Sequence, residues 1–161
     1  MTLRYSSCVL FVKDLQISRH FYETLLEQKM TTDYGLNIGF EGGLSLWQND
    51  SALQHIFAAA PQEGEAALGR KNLEVYFESD ELEAVSQRLS AAGARILRPI
   101  TAHPWGQLAL YVYDPDGHIV EIGEPLPIAV RRLLDEGLTV PEIAQRMYMP
   151  VEAIQAMIPT N

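Results

Sequence analysis

The chain reads as an α+β protein made of two βαβββ modules in tandem, followed by a helical extension. Three observations predict it. Short runs alternate apolar and polar residues with period two, as half-buried strands do. Two helix-period stretches each sit between one such run and three more. Past Glu124 the alternation stops and a Pro- and Gly-punctuated helical pattern takes over.

In the first module, Tyr5 to Val12 alternates and predicts a strand. Asp14 is placed to cap a helix from about Leu15 to Leu26, with Leu15, Phe21, Leu25 and Leu26 toward the core. Met30–Tyr34, Leu36–Phe40 and Leu44–Trp47 follow as strands separated by glycines. Ala58 to Arg70 has little pattern and reads as a linker. In the second module, Asn72 to Glu78 sets Leu73, Val75 and Phe77 against Glu74, Tyr76 and Glu78. Asp80 is the expected cap of a helix to about Ala92, closed by Gly93. Arg95–Pro99, Leu108–Tyr113 and Ile119–Gly123 complete the set. The modules cover about residues 1–57 and 70–126, one domain over 1–126, and 127–161 is the extension. Asp14-Leu15 in one module corresponds to Glu81-Leu82 in the other, and Gly43 to Gly117.

The most specific segment is Asp114-Pro115-Asp116-Gly117 before Ile119–Gly123. Pro115 presets φ for a turn and Gly117 accepts positive φ. Along the strand, Glu121 shares a face with Ile119 and Gly123, opposite Val120 and Ile122. This segment, the duplication, the Phe21-Tyr22 pair and Trp105-Gly106 resemble the vicinal oxygen chelate superfamily of glyoxalases, bleomycin-resistance proteins and extradiol dioxygenases. The resemblance spans about Tyr5 to Glu124. It implies two modules forming a curved mixed sheet around a cup, in a homodimer. In metal-dependent members the glutamate at the place of Glu121 is a ligand.

Carried over by register, the four ligand places of that superfamily fall on Ser7, Trp47, Glu74 and Glu121; a one-residue gap would substitute Ser45 for Trp47. Metal-dependent relatives present histidine, glutamine and glutamate there. A serine hydroxyl is a poor ligand for zinc, nickel or iron, and indole is none. Two carboxylates suit at most a weakly held hard divalent ion. The sequence therefore predicts no tightly bound transition metal and no cofactor. Glu121 and Glu74 are the catalytic candidates if chemistry occurs. Trp47, Tyr76, Trp105, Tyr111 and Tyr113 offer aromatic walls, with His103 on the loop before Trp105 and Ser7 at the rim. With the two glutamates they suit a planar or cationic organic ligand. The same aromatics would equally fill a small core, and Glu74 would equally pair with Arg95 or Arg98. His20 reads as surface, His55 falls in irregular sequence, and His118 points opposite to Glu121.

A net charge of −9 opposes general nucleic-acid affinity. The single cysteine, Cys8, excludes an internal disulfide framework and reads as a buried small hydrophobe in register with Leu10 and Val12. No apolar run is long enough for a membrane, so a cytoplasmic protein is expected. In the extension, Pro127 starts a helix through Glu136. Thr139 and Glu142 form a capping box, and Pro150 starts a last short helix. The spacing around Leu138–Ala144 resembles a helix-turn-helix unit, but Val151 to Ile158 carries no Lys or Arg for phosphate contacts. The extension is expected to cover a sheet edge, extend a dimer interface or dock a partner.

The reading that results is a metal-independent small-molecule-binding protein. The alternative is a divergent metal-dependent lyase or isomerase using Glu121 and Glu74. A third class is a ligand-responsive regulator acting through the tail.

Overall fold

Among the described residues of a computed structural model, eight strands and five of six α-helices follow the predicted order, the sixth being an added helix after the fourth strand. The structure describes residues 6–57, 68–69 and 73–158. The chain forms two compact units, Met1–Leu73 with Tyr113–Ile119, and Glu74–Val112 with Val120–Asn161. Each holds one four-stranded sheet.

In the first unit the strands are β1 (Cys8–Val12), β2 (Met30–Asp33), β3 (Asn37–Phe40) and β4 (Leu44–Gln48), in the order β1-β4-β3-β2. β1 runs parallel to β4, and β3 lies antiparallel to β4 and β2. Leu10, Val12, Leu44 and Leu46 are buried, so alternation assigns them to one face. Phe11 and Trp47, register partners, take the other. Cys8 keeps this parity but, at the first position of the strand, is only half-buried rather than in the core. The expected start of this strand at Tyr5 lies outside the described residues, as does most of the linker.

The first helix begins as read. The Asp14 carboxylate accepts from the backbone N–H of Gln16 and Ile17 at 2.9 and 3.0 Å. The α-helix, α1, covers only Leu15–Arg19, however, and continues as a π-helix over His20–Leu25. The Leu26 N–H bonds the Phe21 carbonyl, five residues back, at 3.0 Å. The wider turn keeps Phe21 and Leu26 on one face, and both are buried. Leu25 is half-buried rather than in the core. Tyr22, next to Phe21, is fully buried and was not foreseen. Its hydroxyl donates to Asp114 Oδ2 at 3.0 Å. A further helix, α2 (Asn49–Phe57), follows β4 without a break. Its apolar residues are too few and too uneven for periodicity to announce it.

The Asp-Pro-Asp-Gly turn is a knot of hydrogen bonds in this unit. Asp114 Oδ1 accepts from the Asp116 and His118 N–H groups at 3.0 and 2.8 Å. Its Oδ2 takes His118 Nδ1 at 2.8 Å besides Tyr22. Asp116 accepts from the Lys13 N–H and the Ser18 hydroxyl, both at 3.1 Å. Gly117 takes φ 88° here, where a β-carbon would be strained.

The second sheet has β5 (Glu74–Glu78), β6 (Ile96–Ala102), β7 (Leu108–Tyr113) and β8 (Ile119–Gly123), in the order β5-β8-β7-β6. Helix α3 (Leu82–Ala91) buries Leu82, Val85 and Leu89. Its cap position is Glu81, not Asp80, and no side chain caps it. Ser79 instead takes the Glu81 N–H at 3.1 Å. Gly93 ends the helix with φ 73°.

The extension forms α4 (Leu126–Asp135), α5 (Val140–Met147) and α6 (Val151–Ala156). Val130, Leu133, Ile143, Met147 and Ile154 make their shared core. The capping box is present, with Glu142 Oε2 accepting from the Thr139 N–H and hydroxyl at 2.7 and 2.6 Å. Arg132 on α4 pairs with the buried Glu124, which also accepts from the Leu108 N–H at 2.7 Å. No helix among the described residues is long and apolar enough to cross a membrane.

Tyr22→Phe removes one donor from a buried carboxylate, and chemical denaturation should show a loss of about 1.5–3 kcal/mol. Burial alone would lower the His118 pKa, but the hydrogen bond and charge of Asp114 outweigh it, so the net shift is upward from 6.5. A raised folded-state pKa stabilises fully below the unfolded value and is lost as pH rises through the folded one. The stability gap between the native protein and His118→Asn should therefore be widest below about pH 6.5 and narrow above it.

Candidate functional site

The second unit gathers four of the candidate residues. β7 turns Tyr111 out of the apolar face, because Leu110 and Val112 on either side are fully buried. β8 carries Glu121, which is itself buried. His103 closes β6, and its backbone N–H bonds the Gln107 carbonyl at 2.8 Å across the turn to β7. His103 Nε2 lies 3.3 Å from Glu121 Oε1 and 3.1 Å from the Tyr111 hydroxyl. The Trp105 indole stacks on the His103 ring, with centroids 4.0 Å apart and planes 8° from parallel. Tyr111 meets the same ring edge-on at 5.9 Å.

This arrangement brings three proton-bearing groups to one point. Burial first, then the hydrogen bond and charge of Glu121, hold the Tyr111 phenol well above its ordinary pKa. The phenol therefore stays protonated and serves as a donor. With a carboxylate, an imidazole and a phenol in contact, the cluster can hold or pass a proton. Its aromatic faces can stack on a planar molecule.

Gln107 extends the cluster, although nothing in the sequence separated it from other polar loop residues. It is buried, accepts from Trp105 Nε1 at 3.0 Å, and donates to the Tyr76 hydroxyl at 3.0 Å and the Glu124 carbonyl at 2.7 Å. Tyr76 is exposed and donates onward to Glu78 at 3.2 Å. Its ring lies against Gly123, where an added β-carbon would come within 2.7 Å of the phenol oxygen. Gly123 is thus glycine for close approach. Burial raises the Tyr76 pKa, against the lowering effect of Gln107. Glu74 is exposed on β5, and Tyr113 is half-buried on β7 in phase with Tyr111.

The other candidates belong to the first unit. Trp47 donates through Nε1 to Ser51 Oγ at 3.3 Å and meets Phe11 edge-on at 6.3 Å. His55, expected in irregular sequence, lies instead on α2, exposed, with its ring centroid 5.9 Å from that of Trp47. Ser7 is exposed just before β1. Its neighbour Ser6 crowds Gly43, where a β-carbon would meet the Ser6 carbonyl oxygen at 2.8 Å. His118, expected to point away from Glu121, is bonded to Asp114. No three His, Cys, Asp or Glu side chains are gathered for a metal among the described residues.

Residues 5–127 match the model of the glyoxalase-like domain family. A protein of unknown function from Agrobacterium tumefaciens is 33% identical, with a TM-score of 0.71 over 78% of this chain and 96% of that one. A glyoxalase-related enzyme from Fulvimarina pelagi is 27% identical, with a TM-score of 0.62 over 78% and 90%. A glyoxalase/bleomycin resistance protein/dioxygenase from Nocardioides, at 23% identity and TM-score 0.59 over 77% and 84%, shares the fold. No curated protein matches the chain.

Glu121→Gln removes the charge that helps hold the Tyr111 phenol protonated. Carbon-13 observation of the tyrosine ring during an alkaline titration should show Tyr111 ionising at lower pH in the variant, moving toward the ordinary value of 10.0.

Proposed function

Because the chain belongs to the glyoxalase-like domain family, within the vicinal oxygen chelate superfamily, we propose that it binds a small organic molecule without a tightly held transition metal. The ligand is planar, and it is cationic or rich in hydrogen-bond donors. The observation that carries this reading is the wall made by Trp105, His103 and Tyr111 around Glu121. Stacking on the wall supplies affinity, and the carboxylate supplies orientation.

The donor set supports metal independence. Of the four places the superfamily uses, Trp47 offers only an N–H, already given to Ser51. Ser7 offers a neutral hydroxyl. Glu121 is engaged by His103 and Tyr111. These donors do not fit zinc, nickel or iron, which favour imidazole, thiolate and several carboxylates together. A magnesium-like ion on Glu74 and Glu121 would need water for most of its shell and would bind weakly. No step is therefore routed through an ion.

One observation favours an enzymatic second reading. Glu121, His103 and Tyr111 in mutual contact are the components of general acid–base chemistry. In that reading Glu121 takes a proton from a carbon acid, and Tyr111 donates to the oxygen that gains charge. The alternative foreseen in the sequence, with Glu74 beside Glu121 at a divalent ion, has less support because Glu74 lies exposed. We further expect a homodimer in the cytoplasm, with no nucleic acid as partner.

Calorimetric titration with nickel, zinc, manganese and magnesium should give no micromolar binding. Stoichiometric binding abolished by Glu121→Gln would reverse the reading in favour of a metalloenzyme. A screen of planar aromatic cations should find saturable binding, and Trp105→Ala should weaken it by about tenfold or more, some 1.4 kcal/mol. Binding that survives Trp105→Ala and Glu121→Gln unchanged would place the ligand elsewhere.

A further inference from the structure

We infer that the helical extension, beyond the residues shared with the family, sets the geometry of the ligand wall by clamping the loop that carries His103 and Trp105. The inference rests on the proposed role of that wall and assigns Arg132, Arg146 and Gly106 as positioning residues.

The loop His103–Gln107 has one side-chain bond of its own, Trp105 Nε1 to Gln107 Oε1 at 3.0 Å. Its turn is closed by two backbone bonds, His103 N–H to the Gln107 carbonyl and Gly106 N–H to the His103 carbonyl, both 2.8 Å. Neither backbone bond fixes the rings. Of the three other carbonyls, the extension claims those of Pro104 and Gly106. Arg132 Nη2 donates to the Gly106 carbonyl at 2.6 Å, and Arg146 Nε to the Pro104 carbonyl at 3.3 Å. Two cations, one on α4 and one on α5, thus grip the carbonyls of the two residues on either side of Trp105.

Arg132 is itself held in place. Its guanidinium is shared among the buried Glu124, the Glu136 carboxylate at 2.7 Å and the Gly106 carbonyl. Glu124 follows the end of β8, two residues after Ile122 and three after Glu121. The same guanidinium therefore joins the loop bearing His103 to the strand bearing Glu121. A planar fork with several donors can do this, and a lysine ammonium cannot reproduce its geometry.

Gly106 completes the clamp. It takes φ 98°, and a β-carbon there would stand 3.0 Å from Leu133 Cδ1 and 3.2 Å from Arg146 Nε. A side chain there would push Leu133 and Arg146 back by a few tenths of an ångström, so the extension lies in close contact with the loop at this point. What the clamp fixes is small but decisive for stacking: the 4.0 Å, 8° overlap of Trp105 on His103, with Nε2 left facing Glu121 and Tyr111.

The test reads that overlap directly and needs no ligand. Trp105 shields the His103 ring protons through its ring current, so their NMR positions report the stack. His118 and His55, in the other unit, report whether the protein is folded. Arg146→Gln removes one exposed bond. The pair Arg132→Gln with Glu124→Gln removes the second grip without leaving a lone buried charge. In each, the His103 ring protons should lose at least half of their ring-current displacement, while His118 and His55 keep their positions. Arg132→Lys should fall between these variants and the native protein. Displacement retained in Arg146→Gln and in the double variant, with His118 in its native position, would overturn the clamp. If the double variant fails to fold, Arg146→Gln decides alone. Ligand affinity is read separately: a stack lost without any measurable ligand sinks the binding proposal and leaves the clamp standing.

Discussion

Asp114 is the carboxylate around which much of this structure is organised. Four donors converge on it: a tyrosine hydroxyl, an imidazole and two backbone N–H groups. Removing a buried charge from water is costly, and only such complete satisfaction makes it tolerable. The consequence is a turn with one available shape. From that turn β8 departs, and the phase of its side chains follows from where it starts. Val120 and Ile122 go to the apolar face, which leaves Glu121 among polar partners. The chemistry of the site is thus inherited from a hydrogen-bond network that takes no part in it.

Much of this was legible in the sequence, for identifiable reasons. Strands with strict alternation, such as Leu108–Tyr113, announce both their existence and their phase. Phase alone was enough to place Tyr111 and Glu121 on faces away from the apolar packing. Asp14 was readable as a cap because capping is local. The Thr139–Glu142 box was readable for the same reason. What escaped depends on distance through space rather than along the chain. Asp80 looked as suitable a cap as Asp14, yet the cap position fell on Glu81, where no side chain caps the helix. The π-helix has no local signature, and Tyr22 within it bonds a residue 92 positions away. Gln107 and Arg132 looked like ordinary polar residues until their partners came from other elements. His103 was singled out only as a loop residue near Trp105, and its contacts with Glu121 and Tyr111 could not be foreseen.

The aspartate and glutamate clusters also differ in kind. Around Asp114 every acceptor position is filled and the partners are largely buried, so the network specifies shape. Around Glu121 the partners are an imidazole and a phenol, groups that exchange protons and can redirect their hydrogen bonds. Tyr76 and Trp105 nearby are not fully covered. A polar group with adaptable partners beside uncovered aromatic surface is suited to receive a guest, whereas a saturated one is suited to hold a fold.

The protein has two tryptophans, and each unit contains one beside a histidine: Trp47 with His55 at 5.9 Å, and Trp105 with His103 at 4.0 Å. Indole emission depends on what lies against the ring, and the dependence steepens with proximity. Each half of the molecule therefore carries an intrinsic optical reporter, with the more closely contacted one at the wall. Replacing Trp47 by phenylalanine would leave Trp105 as the sole indole emitter and make light a direct readout of the wall.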